Sequence, residues 1–186
     1  SLLPRYTAMP TVVTYMYYDW ATDLMYFFGS DVTSLSVITS TTKVWVVSFA
    51  DDPVVDYSSY SSAPENTASY PHYLFIFTAS GRVIEIFARN TAFEYKDRKL
   101  SHGLKAATVC YVDASDSSTY SAKAVLLTVD LDNVLRKYKL YVSGAPTILG
   151  SPVATGVNVA RIVSSPSYDS GAPYAAVLIS TGTRAN

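Results

Sequence analysis

The sequence predicts an all-β fold assembled from stacked repeats, and three observations carry that reading. The first is a hairpin-like pattern that returns at a fixed interval. The apolar run Tyr73-Leu74-Phe75-Ile76-Phe77 meets a tight polar turn, Thr78-Ala79-Ser80-Gly81, and continues as Arg82-Val83-Ile84-Glu85-Ile86-Phe87. Fifty-one residues later Ala124-Val125-Leu126-Leu127-Thr128-Val129 passes through Asp130-Leu131-Asp132-Asn133 into Val134-Leu135-Arg136-Lys137-Tyr138-Lys139-Leu140. A third copy begins at Ala175, and a weaker one begins at Leu24, about 50 residues before the first. The second observation is that helical period is scarce, while β-branched and aromatic residues crowd the apolar runs. The third is composition. Apolar residues make up 49% of the chain and charged residues only 16%, with 16 Tyr and 7 Phe. Average domains carry about a quarter charged residues, so this is an ordered chain with large buried faces. A constant interval in this range is the mark of a stacked-repeat architecture.

The elements follow in order. Each hairpin is preceded by another apolar run, at 12–18, 43–49, 106–112 and 157–163, and each run leads into a polar segment rich in Asp, Ser, Pro and Tyr. A weaker fourth stretch follows the two central hairpins, at 93–96 and 147–150. The unit is therefore four short strands: an inner one, a hairpin pair and an outer one. The units fall at approximately 12–40, 43–98, 105–152 and 157–186, within a single all-β domain or part of one. The first unit departs from the pattern. Only about a dozen residues separate Ser30 from Lys43, so its outer strand is expected to be missing or merged into 34–39. Segment 51–71 is about twice as long as its counterparts and rich in Ser, Tyr and Pro. It reads as a loop insertion, expected to be exposed and more mobile than 113–123 and 164–174.

One four-stranded sheet cannot bury both faces alone, whereas sheets stacked around an axis can. The pattern thus resembles the β-propeller architecture, whose four-stranded blades run to about 40–50 residues. The resemblance covers most of the chain as pattern, without the Trp-Asp dipeptide of WD repeats or the Gly pair of Kelch repeats. About 3.6 blades of 51 residues fit in 186 residues, fewer than the usual 4–8 of a closed ring, so the chain reads as part of a larger propeller. Strand 175–180 is expected to pair with 157–163. Its other edge is expected to be covered by the segment near 12–18, by the rest of the propeller or by a partner subunit. A β-sandwich with a fortuitous period is the alternative. Ser167, Asp169, Gly171 and Tyr174 resemble the Asp-box turn of sialidase-like propellers, with Pro173 where Thr is usual. That box is a hairpin device and implies no glycosidase. Sialidases also require an arginine cluster and a Tyr–Glu pair. Of the strand arginines here, Arg82 and Arg136 sit beside hairpin turns, where a solvated charge is ordinary, and Arg161 is the third.

Chemistry-bearing motifs are sparse. Net charge is −1 with no basic stripe, which argues against a nucleic-acid partner. No apolar run reaches the length of a helical membrane span. The single cysteine, Cys110, lies in an apolar β-like run and reads as a small buried hydrophobe. That lone cysteine, the lack of an N-x-Ser/Thr acceptor and the lack of a leader-like pattern at Ser1 lean towards an intracellular setting. His72 and His102 stand 30 residues apart with no ligand at metal spacing. Asp51, Asp52, Asp56, Asp113, Asp116, Asp130, Asp132 and Asp169 lack the spacing of a calcium loop, and Asp130 and Asp132 suit a hairpin turn for backbone reasons. No nucleophile elbow is present. No catalytic residue, metal or cofactor is therefore assigned.

Tyrosine is what remains. Tyr57, Tyr60, Tyr70, Tyr120, Tyr168 and Tyr174 are mixed with Ser, Pro and Ala in the expected loops, a composition suited to adaptable contact surfaces. The same tyrosines can equally fold back on their own blades. The functional expectation is a non-catalytic protein-binding or scaffolding module presenting Tyr/Ser/Asp-rich loops, with another protein chain or the rest of the propeller as partner. The alternative is a carbohydrate-binding or glycoside-hydrolase-like propeller. A glycan site calls for acidic residues and an arginine converging beside open aromatic platforms in a central pocket. A scaffold calls for apolar loops or a long edge.

Overall fold

A computed structural model describes residues 13–19, 24–29, 31–36, 44–48, 51–61, 72–89, 92–113, 123–141, 143–165 and 175–180. These form fifteen strands in four antiparallel sheets. The first sheet runs in chain order through β1 (Val13–Asp19), β2 (Leu24–Gly29), β3 (Asp31–Ser36) and β4 (Val44–Ser48). The second holds β5 (Val54–Ser61), β6 (His72–Thr78), β7 (Arg82–Arg89) and β8 (Ala92–Lys99). The third holds β9 (Ala106–Asp113), β10 (Lys123–Val129) and β11 (Val134–Leu140). Its outer edge is split into β12 (Thr147–Ile148) and β13 (Val153–Ala154), both paired to β11. The fourth pairs β14 (Val159–Ser165) with β15 (Ala175–Ser180).

Strand alternation explains why the sheets stack in series. On β6, Leu74 and Ile76 face the first sheet while Phe75 and Phe77 face the third. On β7, Ile84 and Ile86 join the former group and Val83 the latter. Side chains of period two on a strand buried on both faces give this near-continuous apolar run. Three cores result. Tyr26, Phe28, Leu74, Ile76, Ile84 and Ile86 fill the first interface. Phe75, Phe77, Leu104, Val109, Leu126, Tyr138 and Leu140 fill the second. Ala106, Val129, Val159 and Ile162 fill the third. Four sheets in series, with both faces of the second and third buried, replace the two-sheet sandwich that stood as the alternative. The hairpins β6–β7 and β10–β11 occupy equivalent places in adjacent sheets, as their 51-residue offset predicts.

Two expectations are corrected. Residues 44–48 are not the inner strand of the second unit. They are the outer strand of the first sheet, with Trp45 opposite Thr33 and Val44 opposite Ser34. The first sheet therefore has its own outer strand, β4, separate from the strand that ends at Ser36. Segment 51–71 is not wholly a loop insertion, because Val54–Ser61 is the inner strand of the second sheet and pairs along its length with β6. Val54 and Asp56 are buried. Both corrections have one cause. The inner strand carries Asp56, Ser58 and Ser59 because it borders a polar centre, so it is less apolar than the outer strand before it.

The turns join one sheet to the next. Gly81 closes the β6–β7 turn at φ 92°, and its N–H donates to the Thr78 carbonyl. A Cβ there would lie 2.2 Å from the His102 carbonyl oxygen, so glycine is required twice over. Asp52 holds the same turn, accepting from the Ser80 N–H (2.8 Å) and the Thr78 hydroxyl (2.6 Å). In the β10–β11 turn Asn133 takes the corresponding place at φ 59°, a conformation asparagine tolerates better than most residues. Its side-chain oxygen accepts from the Val159 N–H (2.9 Å) and from the Lys105 ammonium (3.0 Å).

Candidate functional site

The inner strands β5, β9 and β14 lie side by side and run in the same direction. The Ala107 N–H donates to Asp56 Oδ2 (3.5 Å) and the Val109 N–H donates to Ser58 Oγ (3.3 Å), so positions on the two strands advance together. Between β9 and β14, Thr108 Oγ1 and Ser164 Oγ lie 2.9 Å apart, with Ser164 also donating to the Val109 carbonyl. From β1 the Tyr15 hydroxyl donates to the Val55 carbonyl (2.7 Å). The outcome is a polar centre assembled from strands far apart in sequence, each contributing one or two small polar groups.

Its charged core is Asp56 with Arg161. The Asp56 carboxylate is buried, accepts from the Tyr57 N–H at 2.9 Å, and lies 3.7 Å from the Arg161 guanidinium. Burial pushes its carboxyl above the usual range, outweighing the opposing pull of the Tyr57 N–H, Arg161 and the Ala107 N–H. The Arg161 side chain is 59% exposed, so this pair is loose and its attraction largely screened. Burial, and then Asp56, raise the Tyr15 phenol, while Arg161 lowers it. Tyrosine, aspartate and arginine from three sheets thus share one electrostatic neighbourhood.

The candidate tyrosines divide. Tyr57 is on β5, not on a loop, and is half buried. Its ring packs 5.7 Å from Tyr15 and 5.5 Å from Phe28, both edge-on, and 5.9 Å from Tyr17. It fills the interface of the first two sheets and offers no open platform. Tyr60 is a β5 residue whose backbone stands opposite Tyr73. Tyr70, Tyr120, Tyr168 and Tyr174 lie outside the described residues, as does the Asp-box-like stretch. The flanking strand ends are described, however. Ser61 pairs with His72, Asp113 with Lys123, and Ser165 with Ala175. Because the three inner strands run the same way, these ends fall on one rim.

Other sequence candidates have structural roles. Asp130 accepts from the Asp132 and Val134 N–H groups (3.0 Å each) and pairs with Arg136 at 3.1 Å. Burial opposes its ionisation, but the Val134 N–H, Arg136 and the Asp132 N–H prevail and hold its carboxyl low. Arg82 pairs with Asp97. His102 Nδ1 lies 3.0 Å from the Tyr138 hydroxyl and 2.8 Å from Ser101 Oγ, tying the β8–β9 connection to β11. Cys110 is fully buried, and burial pushes its thiol up to about 11, which leaves it unreactive at neutral pH. Among the described residues no three His, Cys, Asp or Glu side chains gather as a metal site. No helix among them is long and apolar enough to cross a membrane. The Asp56–Arg161 pair was not singled out from sequence, because its partners lie more than a hundred residues apart. The polarity of 56–59, against the apolar flanking strands, was the available signal.

No protein-family model matches the chain, and no curated protein matches it. Solved structures do. The complex of the fission yeast SREBP–SCAP binding domains is similar over 76% of this chain and 38% of that one, at 12% identity and a TM-score of 0.52. The WD40 domain of SCAP from fission yeast is similar over 77% of this chain and 33% of that one, at 13% identity and a TM-score of 0.50. The fold is propeller-like. At such identity the likeness speaks for the fold alone, and the chain spans between 33% and 38% of the length of these structures.

Proposed function

We propose that this chain is a non-catalytic protein-binding module, a propeller-like arc whose outward sheet faces and strand-end rim meet another polypeptide. The observation that carries the reading is the contrast between inner and terminal sheets. The second and third sheets bury both faces. The first exposes Met16 (62%) and Tyr18 on the side of β1 opposite Tyr15 and Tyr17, and the fourth exposes Val163 and Ile179 opposite Ile162 and Leu178. Apolar side chains exposed on a sheet face are what a protein partner covers. The structural neighbour seen as a complex of SREBP and SCAP binding domains supports the same class of function by analogy of fold. Tyr70, Tyr120, Tyr168 and Tyr174, with Tyr60 on β5, are proposed as a second set of partner contacts, on the strength of their Ser- and Pro-rich sequence setting.

The carbohydrate reading retains one point of support, the convergence of Asp56 and Arg161 at the centre. Against it, Tyr15 and Tyr57, the described aromatics nearest the pair, pack edge-on into a sheet interface rather than forming an open platform. Dye binding and light scattering decide between the readings. The purified chain should bind a hydrophobic dye and associate with rising concentration. Met16→Lys with Ile179→Lys should abolish both while far-ultraviolet circular dichroism stays unchanged. Strictly monomeric behaviour without dye binding removes the protein-binding reading. Glycan-array binding lost in Arg161→Ala establishes the alternative.

A further inference from the structure

Glu85, on β7, is fully buried in the interface of the second and third sheets, and it is not fully satisfied. Its Oε2 accepts from Arg98 Nε on β8 at 3.0 Å. Its Oε1 is the one buried side-chain polar atom among the described residues without a hydrogen-bond partner. Arg98 also reaches across the interface, donating from Nη1 to the Gly144 carbonyl at 3.2 Å in the segment that follows β11. The guanidinium is therefore a strap between two sheets, and Glu85 orients it.

We propose that Glu85 is a proton-controlled fastener of the second sheet to the third, closing the interface when its carboxyl is protonated and loosening it when ionised. The physical reason is the unsatisfied oxygen. An ionised carboxylate with one bare oxygen in a dry interface is costly, and opening to water relieves that cost. A neutral acid sits there with much less penalty. The charged and titratable groups facing Glu85 are few among the described side chains. Lys96 stands directly opposite on β8, with Arg98 two residues on. Opposite on β6 is Phe75. On the facing side of the third sheet β9 and β10 contribute Ala107, Val109, Ala124 and Leu126. From β11, Arg136 is engaged by Asp130, and the Tyr138 hydroxyl by Ser101 and His102. Burial pushes the Glu85 carboxyl up from 4.5 to about 7, against the lowering pull of Arg98 and Lys96. A carboxyl raised in the closed state binds its proton more tightly there than when solvated. The closed state is thus favoured at low pH, and its advantage is lost as pH rises from the solvated value towards 7.

The test is amide hydrogen exchange at 143–145 and 96–100 across pH 5 to 9, corrected for intrinsic rates, in the wild-type chain and in Glu85→Gln. In the wild type the opening equilibrium should rise roughly tenfold per pH unit up to about pH 7 and then level off. In Glu85→Gln, which is neutral and nearly isosteric, the rise should vanish. Asp56 borders the same interface and is also raised by burial, and the difference between the two chains removes its contribution. Should the variant fail to fold, the side-chain carboxyl carbon shift of Glu85 in the wild type decides by itself. A midpoint near 7 supports the fastener. A midpoint near 4.5, or an equal pH-dependent rise in both chains, overturns it.

Discussion

Gly81 and Asn133 hold the same place in two successive hairpins, and each solves the left-handed turn differently. Glycine is imposed at 81 by the carbonyl of His102, which leaves no room for a Cβ. Gly81→Ala is therefore expected to destabilise the chain by about 1–3 kcal/mol or more, through backbone strain and displacement of the β8–β9 connection. Urea unfolding measures it, and an unchanged midpoint would refute the requirement. Tyr15 poses a gentler case. Its hydroxyl makes a hydrogen bond from β1 to β5, and its ring packs on Tyr57. Tyr15→Phe keeps the ring and removes the bond, with an expected loss of about 0.5–1.5 kcal/mol by the same measurement. A loss of several kcal/mol would mean that the polar centre holds the first sheet more firmly than one hydrogen bond allows.

Between elements, one side chain ties the turn of the third sheet to the start of the fourth. Asn133 Oδ1 accepts from the Val159 N–H at the start of β14 and from Lys105 before β9. Asn133→Gly should preserve the turn, since glycine tolerates the positive φ, yet it leaves the Val159 N–H without its acceptor. The expected signature is local. Exchange at Val159 and its β14 neighbours should rise at least tenfold, while β6 and β7 stay protected. Uniform loss of protection across all sheets would mean that the asparagine supports the whole fold instead. This scale also shows what was legible in sequence. The repeated hairpins read clearly because both arms are apolar and the turn residues between them are diagnostic. The inner strand β5 has the local sequence of a loop. Its Asp, Tyr and Ser residues satisfy themselves against β9 and β1, and neither partner is visible in a local window.

The described sheets form a stack in which the second interface is built around Phe75, Phe77 and Tyr138. Phe75 is completely buried there between the second and third sheets. Phe75→Ala should cost about 3–5 kcal/mol, enough to lower the melting temperature by roughly 10 °C. A change under a few degrees would indicate that the interface collapses around the cavity. By itself the sequence determined the strand class and the two central hairpins with their turns, because these follow from side-chain alternation and turn chemistry within some twenty residues. The tertiary structure decided which strand belongs to which sheet, and it alone brought Asp56 to Arg161, Glu85 to Arg98, and Arg98 to Gly144. Those pairings bridge separate strands, and the Asp56–Arg161 and Arg98–Gly144 contacts bridge separate sheets. Only the stacking of whole sheets sets their distances, and no local preference of the chain encodes it.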